Sequence, residues 1–177
     1  MHQDTDPDWE ERLAALWARI DEYAGQAREA EFRAEVDRLV NELPGNSPVA
    51  PFERACAFDS TGHPDRAVTL YREALDLGLD GYRARRTKIQ LASSLRNLGR
   101  PGEGLALLEP ELHAPSDELD DAVRATLALC LAGLGREREG LSLVLGALSA
   151  HLPRYQRSMR NYARLLIEPA PDEGARA

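Results

Sequence analysis

One pattern recurs along this chain at steps of 37 and 36 residues, a length that few architectures accommodate. It starts at the glycines of Gly62-His63-Pro64, Gly99-Arg100-Pro101 and Gly135-Arg136-Glu137. Each glycine is followed at +5 by a small residue (Ala67, Gly104, Gly140) and at +8 by Leu70, Leu107 or Leu143. Position +9 holds Tyr71, Leu108 or Val144, and +13 holds Leu75, Leu112 or Leu148. The residues before each glycine repeat as well: Ala55 and Phe58, then Leu91, Ala92 and Leu95, then Leu127, Ala128 and Leu131. Every unit therefore reads as an antiparallel helix pair with a small side chain on each helix where the axes come closest. A bulky residue there would force the helices apart, and such overpacking costs about 1–3 kcal/mol.

The flanks are helical too. Trp9, Leu13, Leu16, Trp17, Ile20 and Ala24 share one face of a helix that begins at Pro7, is capped by Asp6 and ends at Gly25. Phe32, Val36, Leu39, Val40 and Leu43 turn inward from a second helix that stops before Pro44-Gly45-Asn46. The two tryptophans form core against the first repeat, or occupy the groove of the array, or pack on a second copy. From Pro153 to Leu166, the residues Tyr155, Met159, Tyr162, Ala163 and Leu166 are spaced for one buried face of a final helix. No alternating β-branched run is present. The expected organisation is a helical pair over 1–46 packed on the array, and repeats over 47–81, 82–115 and 116–150. A capping helix follows over 151–168, with a disordered tail over 169–177.

Leu91-Ala92-x-x-Leu95 and Ala67-x-x-x-Tyr71-x-x-Ala74 resemble the two halves of a tetratricopeptide repeat. The string from Arg54-Ala55 through Asp59-Ser60-x-Gly62, with Ala67-Val68-x-Leu70-Tyr71 and Gln90-Leu91-Ala92-Ser93-Ser94-Leu95-Arg96-x-Leu98-Gly99, resembles the small bacterial tetratricopeptide family labelled group five. The resemblance covers residues 47 to 150. It implies an all-α fold, a right-handed α-solenoid of about three helix pairs, and no established activity. It also implies that the first helices of successive units line a concave groove. Phe52, Cys56, Asp59 and Ser60 would face that groove from the first unit, with Arg86, Ile89, Ser93, Arg96 and Asn97 from the second. Ala122, Ala125 and Leu129 would form an apolar floor in the third, beside Arg157, Arg160 and Arg164 on the capping helix.

Charge narrows the partners. The net charge is −8, which disfavours bulk nucleic acid, whose binding needs a clustered basic surface. That charge is uneven: residues 1–46 hold 12 acids against 5 bases, whereas 151–177 hold 3 against 5. Arg157, Arg160 and Arg164, at i, i+3 and i+7, form a stripe on one helical face. Either the stripe solvates the outside of a cap and pairs with Asp117, Glu118, Asp120 and Asp121, or it joins Arg86, Arg96 and Asn97 in taking a carboxylate-bearing peptide.

No nucleophile elbow, phosphate loop, zinc helix or dinucleotide fingerprint is present. Gly99-x-x-Gly102-x-Gly104 is a repeat turn. Asp4-x-Asp6-x-Asp8 lacks the glycine and glutamate of a calcium loop. His63 beside Asp59 has no nucleophile to serve. No catalytic residue, metal or cofactor is expected. Cys56 and Cys130 sit among Ala and Leu without metal-ligand spacing, as in a reduced compartment. The acidic N-terminus is unlike a signal peptide, and no apolar run spans a bilayer. The Arg-rich, Lys-poor composition suits a GC-rich bacterial source. The expected function is a cytoplasmic, non-catalytic interaction module for a protein or peptide. The alternative is a structural homodimer formed through apolar end surfaces.

Overall fold

The computed structural model describes residues 5–24 and 28–168, and these contain helices and turns but no strand. In chain order the α-helices are α1 (Pro7–Trp17), α2 (Ile20–Ala24), α3 (Glu29–Val40), α4 (Val49–Ser60), α5 (Pro64–Asp76), α6 (Gly81–Asn97), α7 (Pro101–Leu108), α8 (Asp120–Ala132), α9 (Glu137–His151) and α10 (Gln156–Leu165). The chain divides into two compact units, one ending at Arg100 and the other beginning at Pro101. That division falls between the two helices expected to pair within 82–115. The tail expected over 169–177 lies outside the described residues.

The repeat turns share one geometry. Gly62, Gly99 and Gly135 have φ of 79°, 74° and 74°, a left-handed conformation that suits glycine. The residue after each glycine donates its N–H back across the turn, His63 to Phe58 O, Arg100 to Leu95 O and Arg136 to Leu131 O, each at 2.9 Å. The same six-residue closure ends the first helix of all three repeats.

In the first unit, α4 packs along α5, α5 along α6 and α3 along α4. Pro7 opens α1, and the Asp6 carboxylate accepts the Asp8 N–H at 2.9 Å as its cap. The single helix expected from Pro7 to Gly25 instead breaks after Trp17. Arg19 N–H bonds Leu16 O at 3.1 Å, one residue short of α-helical spacing, and the chain restarts as α2. The break sets Tyr23 against Phe32, with ring centroids 5.4 Å apart, while Trp17 meets the same ring edge-on at 5.0 Å. Trp9, Leu13, Leu16, Phe32, Val36 and Val40 form the core of this end. Leu39 and Leu43, expected inward, are only half-buried.

In the second unit, α7 packs on α8, and α9 packs against both α8 and α10. The heptad spacing of Leu105, Leu108 and Leu112 predicts a helix through Leu112, but α7 stops at Leu108 and Glu109–His113 forms a 3-10 turn. Pro110 is the cause, since it lacks the N–H an α-helix would use and disfavours the α conformation in the residue before it. The capping helix is also shorter than expected over 151–168, because His151 completes α9 and α10 begins at Gln156. Of the face predicted to be buried on α10, Ala163 is buried, Met159 and Leu166 are half-buried, and Tyr155 and Tyr162 are 72% and 54% exposed. Small residues make the docking: Ser142 Oγ donates to Ala163 O at 2.7 Å. Contact through that edge leaves the aromatic side of α10 uncovered.

Gly140 shows why a small residue stands at the crossing. A Cβ there would lie 2.8 Å from Ala128 O on α8, whereas one on Gly146, in the same helix, would meet nothing within 4 Å. Gly140→Ala is therefore expected to destabilise by about 1–3 kcal/mol as the backbones are pushed apart. Gly146→Ala should stabilise by about 0.5–1 kcal/mol through helix propensity. Urea unfolding of both variants checks this, and changes of the same sign would defeat the argument.

Candidate functional site

In the first unit, Arg86, Ile89, Ser93 and Arg96 stand at i, i+3, i+7 and i+10 of α6, so they share one face. All four are half-buried and Asn97 is exposed. The two guanidiniums are separated by roughly 15 Å of helical rise at 1.5 Å per residue. The Arg86 guanidinium lies over the Phe52 ring, 5.3 Å from its centroid, and makes no ion pair or hydrogen bond among the described residues. Arg96 donates from Nη2 to Asn97 Oδ1 at 2.9 Å, while its Nε is buried without a partner among the described residues.

Beside Arg86, a cleft of about 450 Å³ opens between α1, α4 and α6. Leu13, Ala14 and Trp17 supply its apolar wall, and Gln90, Ser60, Glu10, Glu53 and Arg83 its polar one. Arg83 Nη2 bonds Glu10 Oε2 at 2.7 Å, which ties α6 to α1. The Trp17 Nε1–H donates to Glu53 Oε2 at 3.0 Å, which ties α1 to α4. Trp9 takes a different role and donates to Leu39 O on α3 at 2.8 Å. One indole thus belongs to the core and the other forms the wall of the cleft.

Glu53 is 4% exposed, and Arg83 Nε lies 3.9 Å from its Oε1. Burial raises its carboxyl above the ordinary range, and the Trp17 hydrogen bond and the charges of Arg83 and Arg86 offset this only partly. A carboxyl raised in the folded state binds its proton more tightly than in the unfolded chain. Its contribution to stability is therefore complete below the unfolded pKa and falls as pH rises through the folded one. Glu53→Gln keeps an acceptor for Trp17 without the buried charge. The variant is expected to gain stability relative to wild type between pH 4 and pH 7, as read by urea midpoints. A relative loss over that interval would show that the ionised carboxylate is a net stabiliser.

Behind the cleft, α4, α5 and α6 share a polar core. Asp59 accepts from Ser94 Oγ at 2.8 Å and from the Tyr71 hydroxyl at 3.3 Å. Burial raises the Asp59 carboxyl, and these two bonds oppose the shift. The Cys56 thiol is buried against Gln90, and desolvation pushes it up to about 12, so it stays protonated at neutral pH. Of the residues that the family pattern turns toward a groove, Phe52 and Asp59 are engaged in packing and internal hydrogen bonds, while Cys56 and Ser60 line the cleft, Ser60 being the exposed one.

The remaining predicted residues belong to the second unit. Arg157, Arg160 and Arg164 are exposed along one side of α10. Arg164 pairs with Glu168 and donates to Asn161 Oδ1 at 2.9 Å; Arg157 and Arg160 have no partner among the described residues. Of the acids weighed as partners for the stripe, Asp121 instead meets His151 and Arg124. Leu129 on α8 is half exposed, and α9 stands between α8 and α10. The second unit therefore does not bring Leu129 onto the arginine stripe.

Glu53, Arg83, Gln90 and Trp17 shape the cleft, yet spacing alone does not single out the first three. Glu53 did leave a trace: it is the one acid in the otherwise apolar opening of α4, Val49-Ala50-Pro51-Phe52-Glu53. An acid there must be either paired or displaced from the core.

A family described as tetratrico peptide repeat matches the chain over residues 48–166. No curated protein and no solved structure matches it.

Proposed function

Since the chain belongs to the tetratricopeptide repeat family, whose members generally mediate protein–protein interactions and are typically non-catalytic scaffolds, we propose that it binds a peptide segment carrying acidic groups. The peptide lies along the Arg86–Arg96 face of α6, in a groove partly lined by arginine. The observation that carries this reading is the Arg86 guanidinium, stacked on Phe52 at the edge of the cleft with no carboxylate in direct ion-pair contact among the described residues. A guanidinium fork takes a carboxylate through two parallel hydrogen bonds, and Ser93 and Asn97 add neutral donors along the same face. Ile89 offers an apolar contact between the two cations. The α10 arginines offer the same chemistry on the second unit and are tested separately. The protein acts without a cofactor, in the cytoplasm of a bacterium.

Fluorescence anisotropy with acidic peptides of varied sequence tests the reading. Loss of charge-assisted bonds worth about 1.5–3 kcal/mol predicts a roughly 10- to 100-fold weaker Kd for Arg86→Ala/Arg96→Ala. Arg157→Ala/Arg160→Ala should leave that Kd unchanged. Equal affinities for wild type and the Arg86/Arg96 variant would overturn the α6 assignment.

A further inference from the structure

Repeat-equivalent positions do not have equivalent burial. Counted from the turn glycine, +6 and +9 are Val68 and Tyr71 in the first repeat, which are 4% and 0% exposed on α5 where α6 packs along it. At +9 of the second repeat, Leu108 is also fully buried, and α8 packs on its helix. In the third repeat the same face is open: Leu141, Val144 and Leu148, at +6, +9 and +13, are 49%, 39% and 47% exposed. The helix that follows, α10, docks on a different edge of α9, the one holding Ser142 and Ser149, both buried. The strip that the next helix covers in earlier repeats is therefore left without one among the described residues.

The strip has a two-fold character. Along α9, Glu137, Leu141, Val144, Leu148 and His151 are separated by steps of 4, 3, 4 and 3 residues. Read from either end the spacing matches to within one residue. An acid closes one end and an imidazole the other, and both are exposed. Two such helices laid antiparallel set Leu141 against Leu148 of the partner subunit, Val144 against itself, and Glu137 against His151 of the partner subunit. His151 has Nε2 on Asp121 Oδ2 at 2.8 Å, and when the ring carries both protons Nδ1–H is left to donate to the incoming carboxylate. The antiparallel arrangement also sets each helix N-terminus beside the other's C-terminus, so the dipoles attract.

We propose that this strip of α9 is the interface of a homodimer, formed isologously about a two-fold axis near Val144. The assignment does not depend on peptide binding at α6. Three aliphatic side chains fall short of the roughly 1,200 Å² of a stable interface. The dimer is accordingly weak and dissociates on dilution.

Sedimentation equilibrium of the full chain over a wide concentration range tests this. The expected mass moves from 19.6 kDa toward twice that value on concentration. Leu141→Glu/Leu148→Glu should hold it at 19.6 kDa with unchanged circular dichroism. Should that variant lose helicity, Glu137→Arg, at an exposed site, is the substitute, with an expected weakening of at least about threefold from the lost charge pair. Val144→Cys should give a disulfide-linked dimer on mild oxidation, against a low background because Cys56 and Cys130 are buried. A chain that stays monomeric at every concentration overturns the proposal, as does a dimer indifferent to the α9 charges. A dimer that Val144→Cys cannot cross-link overturns the two-fold register.

Discussion

Tyr71→Ala is expected to destabilise the first unit by about 3–5 kcal/mol, the range for emptying a large buried aromatic site. Tyr71 is fully buried on α5, 6.5 Å from the Phe52 ring centroid, and its hydroxyl reaches Asp59 on α4. Truncation leaves a cavity and removes one of the two donors to a carboxyl that burial has already raised. Tyr71→Phe separates these effects, because it keeps the ring and loses only the hydrogen bond, worth about 0.5–1.5 kcal/mol. The cost of Tyr71→Phe should be larger at neutral pH than in acid. The lost bond favours the ionised form of Asp59, and protonation in acid removes that preference. Urea titrations followed by circular dichroism measure both variants. A Tyr71→Ala loss no larger than that of Tyr71→Phe would mean that the ring is not a support of the first helix pair.

Phe32→Ala should cost a similar amount, again about 3–5 kcal/mol, with a spectroscopic signature of its own. The Phe32 ring sits between Trp17 and Tyr23, and it is the surface on which α1 and α2 meet α3. Such aromatic pairs add about 0.5–1.5 kcal/mol each beyond the area they bury. The chain has two tryptophans, both on α1, so loosening of that helix should shift the indole emission to longer wavelength. Stability lost without an emission shift would show that α1 is held by its polar ties, Trp9 to Leu39 and Trp17 to Glu53, rather than by Phe32. For a chain whose stability is expected near 5–15 kcal/mol, either truncation removes a large share.

What could be read from the sequence follows the range over which each signal acts. The turn glycines, the small residues at Ala67 and Gly140, and the Asp6 cap are local matters of steric fit and unsatisfied N–H groups, and the spacing of a few residues reveals them. Periodicity likewise places Arg86, Ile89, Ser93 and Arg96 on one face of α6. It does not reveal who covers a face. Tyr155 and Tyr162 fit the apolar side of α10 as well as Ala163 does, yet docking through Ser142 buries only one edge of that arc. The partners of Glu53 were beyond reach for the same reason, since Trp17 and Arg83 come from 36 residues before and 30 after it. Pro110 was legible in principle; the heptad spacing around it masked its effect on α7.

The closure shared by Gly62, Gly99 and Gly135 bears on how such an array can change length. Each of these turns is built from the same two ingredients, a left-handed glycine and an N–H returned five residues back, so it needs nothing from outside its own segment. A duplicated segment inserted in register would arrive with its helix-to-helix corner already specified. The exposed strip on α9 would then be the natural point of extension, the place where gene duplication adds a repeat without redesigning a joint.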